Sequence, residues 1–215
     1  MKQNNADYGY YNVCFYPEAV KTKKAWFKEY KGKRDWNFIE RNSQCTNTLT
    51  KKSLLKKINI AYWFSNFYEY GWIPVLLFAE NIVSLDKELY VYRVGHESAS
   101  GGSYIGKVPK FRRHVELTRR LPEMIQGTKY EKELKTYFEY RYIYTLILLM
   151  IVAGVNNDKK AYSDARSELF RVDYLKNENT KMILDNNHGK LKSFVLRRIL
   201  PLNFYVAEVI TKAVL

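Results

Sequence analysis

Tyr68-Glu-Tyr-Gly-Trp-Ile-Pro-Val-Leu-Leu-Phe-Ala-Glu-Asn81 runs directly into Ile82-Val-Ser-Leu-Asp-Lys-Glu-Leu-Tyr-Val-Tyr-Arg-Val94. In the first stretch Trp72, Val75, Leu76 and Ala79 recur at spacings of three and four, which predicts a helix with one apolar stripe. In the second, Ile82–Leu85 and Glu88–Val94 read as two short strands around an Asp86–Lys87 turn. Leu89, Val91 and Arg93 alternate with Tyr90 and Tyr92, so both faces of that strand carry side chains worth burying. The fold class expected is α/β.

Working outward, Tyr8–Tyr16 is aromatic-rich and β-prone, and ends at Pro17. Thr50–Ile58 reads as a short helix with Thr50 as its N-cap. The chain changes character near Gly101–Gly102, and beyond Gly106 the pattern is helical almost to the end. Lys110–Ile125 follows Pro109, and Pro122 inside it demands a kink or a break. Tyr130–Val155 is long and increasingly apolar. Asp158–Lys176 opens with a plausible N-cap in Asp158, while Asn177–Asn187 has no decisive pattern. Lys190–Leu200 and Pro201–Leu215 close the chain, the last with an apolar stripe of Phe204, Val206, Val209, Ile210 and Val214. Two regions are therefore expected, residues 1–106 and an all-helical extension over 107–215.

Composition narrows the classes. A chain of 215 residues that is 47% hydrophobic and 27% charged buries a real core, which excludes disorder. Its 19 Tyr suit sugar-facing clefts, interfaces and half-buried strands alike. The net charge of +14 and a pI near 9.6 favour anionic partners: phosphate-bearing donors, lipids, nucleic acid or an anionic membrane face. Residues 1–106 hold 15 Lys/Arg against 10 Asp/Glu and residues 107–215 hold 21 against 12, so the excess is spread along the chain. Clusters at Lys21–Lys24, Lys51–Lys57, Lys107–Arg113 and Arg197–Arg198 are short enough to be solvated helix faces. Because the basic residues form no single stripe interleaved with stacking aromatics, nucleic acid is disfavoured.

Cys14 and Cys45 have no metal-ligand spacing and read as reduced thiols of a cytosolic protein. Met1–Asp7 is polar, so no signal peptide is expected there. Ile143–Val155, the most apolar run, falls short of the ~20 residues that span a bilayer and is expected to be a buried core helix. The sequence contains no glycine-rich phosphate loop, no nucleophile elbow and no Asp-x-Asp pair, and carboxylate pairs of that kind hold diphosphate through Mg²⁺ or Mn²⁺.

Three blocks share an order. They are Cys45-Thr-Asn-Thr-Leu-Thr-Lys-Lys-Ser-Leu-Leu-Lys-Lys-Ile58, then Phe67-Tyr-Glu-Tyr-Gly-Trp72 with Pro74 and Ala79 behind it, then Leu89-Tyr-Val-Tyr-Arg93 followed by Ser98-Ala-Ser100. Together they resemble the central and C-terminal part of the catalytic domain of bacterial family 2 glycosyltransferases, which build capsule, O-antigen and related polysaccharides. Ala6–Val13 resembles the strand just downstream of that family's metal motif. The resemblance implies part of a GT-A sheet packed with helices, from the acceptor side only. The donor-binding half, with its Asp-x-Asp and divalent Mg²⁺ or Mn²⁺, is expected outside this chain, from an upstream segment or a partner chain, and no metal or other cofactor is expected here.

The implied reaction is transfer of a hexose from a nucleotide sugar to a saccharide or lipid-linked acceptor, in the cytoplasm or peripherally at the inner face of the cell membrane. Glu69 stands where the family usually places an Asp that takes the proton of the acceptor hydroxyl, a role an inverting transfer requires. Helix-dipole stabilisation of an N-terminal Glu, ~0.3–1 kcal/mol, explains it equally well without chemistry. The resemblance gives Arg93 a place at the site edge, paired with Glu69 or donor phosphate. His96, in the loop after the strand that carries Arg93, suits phosphate or acceptor as well as plain solvation, and Ser98 and Ser100 suit sugar hydroxyls or a cap on the loop. Trp63 and Trp72 suit an acceptor-facing wall, although Trp72 also belongs to the apolar stripe and fits core packing. The rival reading is a basic helical module that binds anionic membrane or nucleic acid without catalysis.

Overall fold

A single carboxylate organises the sheet. Asp7 accepts hydrogen bonds from the backbone N–H of Glu80 at 2.8 Å and of Asn81 at 2.9 Å. Its own N–H donates to the Asn81 carbonyl, and its carbonyl accepts from the Lys51 N–H. Three chain segments far apart in sequence therefore meet at the first turn of the fold. The computed structural model describes residues 5–16, 30–42, 48–93 and 104–214. It is mixed α/β and mostly helical, with a three-stranded sheet among the described residues. Residue contacts divide the chain into two compact units, Met1–Ala99 and Ser100–Leu215.

In the first unit β1 (Tyr8–Tyr16) lies between β2 (Thr48–Thr50), antiparallel to it, and β3 (Ile82–Arg93), parallel to it. A parallel neighbour requires a long crossover. It contains α1 (Trp36–Asn42), β2, α2 (Lys52–Lys57), α3 (Ile60–Phe67), a 3-10 turn at Tyr68–Trp72 and α4 (Ile73–Phe78). Tyr8, Phe38, Ile39, Phe67, Val75 and Leu76 are fully buried in its core. The Arg34 guanidinium donates to the carbonyls of Leu76 and Ala79, satisfying acceptors at the C-terminal end of α4.

Three local expectations are corrected here. Thr50 does not cap a helix: it pairs with Tyr8 in the ladder, and Lys51 occupies the N-cap position of α2 without a side-chain capping bond. Asp86–Lys87 is not a hairpin turn, since Ile82–Arg93 is one strand. Its register against β1 jumps from Tyr11↔Leu85 to Asn12↔Glu88 and then to Val13↔Tyr90. Twelve residues of β3 thus face nine of β1, the surplus being absorbed in bulges that interrupt the ladder locally. One consequence is that Leu89 and Val91 are exposed instead of packed. Finally, Tyr68–Asn81 is no one-sided helix. Every residue from Tyr70 to Leu77 is buried, so the stripe is part of a segment enclosed on all sides.

The second unit is built on α6 (Glu131–Val155), which packs against α5 (Val108–Arg119), α7 (Lys159–Arg171), α8 (Glu178–His188) and α10 (Phe204–Val214). This 25-residue helix is long and apolar enough to cross a membrane, yet 67% of its most apolar window is buried within the protein. It is the core helix of the unit. Pro122 breaks the preceding helix as expected: α5 ends at Arg119 and a 3-10 turn follows at Leu121–Met124. Asp158 caps α7 by accepting from the Ala161 N–H, and Asn177 caps α8 by accepting from the Thr180 N–H. α9 (Lys190–Phe194) continues as a π turn over Val195–Ile199. α10 begins at Phe204, after Pro201, with the Asn203 side chain accepting from the Val206 N–H.

Replacing Asp7 with Ala removes two charge-assisted bonds that hold the start of β3 against the start of β1. The expected cost is about 1–2 kcal/mol, the site being partly exposed. It is read as a lower urea midpoint, whereas an unchanged midpoint would show that the ladder keeps its register without the carboxylate.

Candidate functional site

Glu69 lies on the 3-10 turn between α3 and α4, and the turn is held in place from both sides. α3 stops at Phe67 because the next residue, Tyr68, adopts φ 50° and ψ −125°, where its N–H still donates to the Phe64 carbonyl. A non-glycine residue there costs ~1–3 kcal/mol and persists only where the surroundings impose it. Gly71 supplies that constraint. A Cβ on it would stand 2.8 Å from the Phe64 nitrogen and 2.9 Å from Phe64 Cα, so only glycine lets the turn lie on the backbone of α3. Tyr70 and Trp72 are buried on either side of Gly71, and the Trp72 ring sits 6.0 Å from that of Phe64. Glu69 itself is exposed, next to the half-exposed ring of Tyr68.

Of the residues selected from sequence, Glu69 and Trp72 share this turn but face different environments. Trp72 is a core side chain whose indole N–H is buried without an acceptor. Trp63 is half-buried, donating through its indole N–H to the Ile58 carbonyl at 3.0 Å. Arg93 is the last residue of β3, its backbone paired with Tyr16. Its side chain, and all of His96, Ser98 and Ser100, lie outside the described residues. No three of the described His, Cys, Asp and Glu residues converge in a group that could hold a metal ion.

Two exposed tyrosines, Tyr62 on α3 and Tyr68 on the turn, were not singled out from sequence. Among 19 tyrosines nothing local separates an exposed ring from a core ring. Tyr142 was likewise unmarked. In the second unit its hydroxyl donates to Glu168, and the Arg171 guanidinium grips the same carboxylate. The Arg171 hydrogen bond, aided by that from Tyr142, holds Glu168 below the usual carboxylate range against the opposing effect of burial. Burial, then the bond to Glu168, pushes the Tyr142 hydroxyl well above the usual tyrosine range. The adjoining cleft of about 550 Å³ is lined by Glu139, Tyr142, Asp173, Lys176 and Glu178 among others. It brings together none of the residues selected from sequence. In the same unit the Tyr144 hydroxyl lies 3.2 Å from the His188 ring nitrogen.

No family model, no curated protein and no solved structure matches the chain.

Two outcomes follow from this geometry. Gly71→Ala must push the turn off α3, and since the obstructing atoms are backbone the expected loss is about 1–3 kcal/mol in a denaturant titration. A neutral result would mean that the turn is free to move. Glu168, with its pKa lowered in the folded state, stabilises the second unit fully above the ordinary Glu range. That contribution disappears as pH falls through the lowered value. Melting followed across acid pH is expected to decline less steeply in Glu168→Gln than in the wild type, and parallel curves would contradict the assignment.

Proposed function

We propose that this chain supplies the acceptor side of a family 2-type glycosyl transfer, with Glu69 as the general base, and that the donor diphosphate site comes from another segment or a partner chain. The observation that carries the reading is the Tyr68–Trp72 turn. It holds a strained residue immediately before an exposed carboxylate, anchored underneath by Gly71, Tyr70 and Trp72. Strain that packing imposes at Tyr68, one residue before an exposed carboxylate, is better explained by positioning for chemistry than by stability, which it lowers. The order of the three resembling blocks agrees with this, since β2 with α2, the turn with α4, and β3 all fall in one compact unit.

In this role the Glu69 carboxylate accepts the proton of an acceptor hydroxyl as that oxygen attacks the anomeric carbon. The bond from that carbon to the diphosphate breaks in line, and the nucleotide diphosphate leaves with the electron pair. Glu reaches one methylene further than the Asp usual in the family, so the acceptor oxygen would sit correspondingly further from the backbone. The exposed rings of Tyr68 and Tyr62 are the nearest candidates in sequence for stacking on an acceptor sugar.

The test is incorporation of labelled hexose from nucleotide sugars into saccharide and lipid-linked products, in membranes of cells producing the chain. Glu69→Gln keeps size and hydrogen-bonding capacity but cannot take a proton, and is expected to lower incorporation ~10²–10⁴-fold with an unchanged melting profile. Wild-type incorporation by that variant would end the catalytic assignment. Arg93→Lys is the companion, expected to reduce incorporation if a two-pronged contact to an anion is needed there.

A further inference from the structure

The C-terminal helices of the second unit are apolar on the side away from the core as well as on the side that faces it. Ser193, Leu196, Leu200, Phe204 and Ala207 are buried and fasten α9, the π turn and α10 to the unit. Leu191, Phe194, Leu202, Tyr205 and Val209 nevertheless point outward, with Leu191 79%, Tyr205 64% and Val209 67% exposed. They and the exposed Arg198 interleave with those buried positions along the chain: Leu191 and Phe194 on α9, Arg198 on the π turn, Leu202 between the helices, Tyr205 and Val209 on α10. An ordinary surface helix places polar residues on that side. The expected apolar stripe of the last helix is thus divided, Phe204 going to the core and Val209 to the solvent.

Cations surround these side chains. Residues 190–210 hold Lys190, Lys192, Arg197 and Arg198 against the single acid Glu208. From α7, the Lys159 ammonium lies 5.1 Å from the centre of the Tyr205 ring and 5.8 Å from that of Phe204. Arg166 donates to the Pro201 carbonyl at 2.7 Å, and its guanidinium covers the half-exposed Phe170 ring at 4.8 Å. Aromatic rings beside basic heads, next to outward aliphatic side chains, are what a lipid headgroup layer accommodates.

We infer that this face docks on the surface of an anionic bilayer. Its aliphatic and aromatic tips enter the boundary between headgroups and acyl chains, while Lys190, Lys192 and Arg198 meet the headgroup charge. Nucleic acid would satisfy the cations but would leave the aliphatic Leu191, Leu202 and Val209 facing water. A second copy of the chain, itself carrying +14, would bring like charge against like charge. The inference stands independently of the role given to Glu69.

The experiment is co-sedimentation of the full chain with vesicles of phosphatidylcholine alone or mixed with phosphatidylglycerol. Binding is expected only to the mixed vesicles and is lost as salt rises from roughly 0.1 M to about 1 M, which cuts the screening length from ~10 Å to ~3 Å. Neutralising Lys190, Lys192 and Arg198 together with Gln is expected to weaken binding about 100-fold, roughly fivefold for each basic residue near the surface. Val209→Asp and, separately, Leu191→Ser are expected to abolish most of it while leaving the melting profile unchanged, since both side chains are exposed. Equal binding to neutral vesicles, indifference to the basic triple, or pelleting without vesicles through self-association would overturn the proposal. So would salt-sensitive capture of duplex nucleic acid that Val209→Asp leaves intact, with no vesicle binding beside it.

Discussion

The first unit depends on the hydrogen bonds gathered at Asp7. A parallel pair of strands receives no help from a tight turn, so its register must be set where the crossover returns. Here the carboxylate of Asp7 takes the backbone N–H groups of Glu80 and Asn81, and the backbone of the same residue bonds to Asn81 and Lys51. The beginning of β1 is thereby tied to the beginning of β3 and to the end of β2. Once that point is fixed, the ladder extends as far as Tyr16 and Arg93, and its excess of residues on β3 is taken up in bulges away from the clamp.

With both ends of the crossover held, its interior has little freedom. Phe67, Tyr70, Trp72 and Ile73 to Leu77 are buried, and the chain must reverse between α3 and α4 within a few residues. Gly71 makes the reversal possible by lying on the backbone of α3, and Tyr68 takes up the remaining strain with a positive φ. Glu69 is then exposed because its neighbours on both sides are committed elsewhere. The same packing that makes Trp72 a core residue prevents it from lining a cleft, which separates two residues that the sequence alone grouped.

The second unit rests on a different constraint. The second half of α6, residues 142–155, is apolar almost all round, and a helix of that kind needs partners on several sides. α5, α7, α8 and α10 provide them, and the N-caps at Asp158 and Asn177 start α7 and α8 at defined points. The segment from Lys190 to Val209 holds on through the buried Ser193, Leu196, Leu200, Phe204 and Ala207 and the carbonyls of Arg197, Leu200 and Pro201, which accept from Tyr174, Tyr162 and Arg166. Burial raises the Tyr162 hydroxyl to about 12, consistent with its enclosed position under that segment. What is left over is an outward face that the core has no use for.

Some of this was determined by the sequence itself. The β character of Tyr8–Tyr16, the helical run beyond Gly106, the break at Pro122 and the cap at Asp158 follow from local chemistry: alternation, periodicity, a missing N–H and a short polar side chain. The tertiary structure alone decided the rest, because it depends on what lies opposite. Asp86–Lys87 resembles a turn until a parallel partner turns it into a bulge. Thr50 resembles a cap until Tyr8 pairs with it. Trp72 and Val209 sit on stripes that look alike in one dimension, yet one packs its ring near that of Phe64 inside the core and the other stays exposed. Periodicity states that a helix has an apolar side; only packing states how many of its sides are covered.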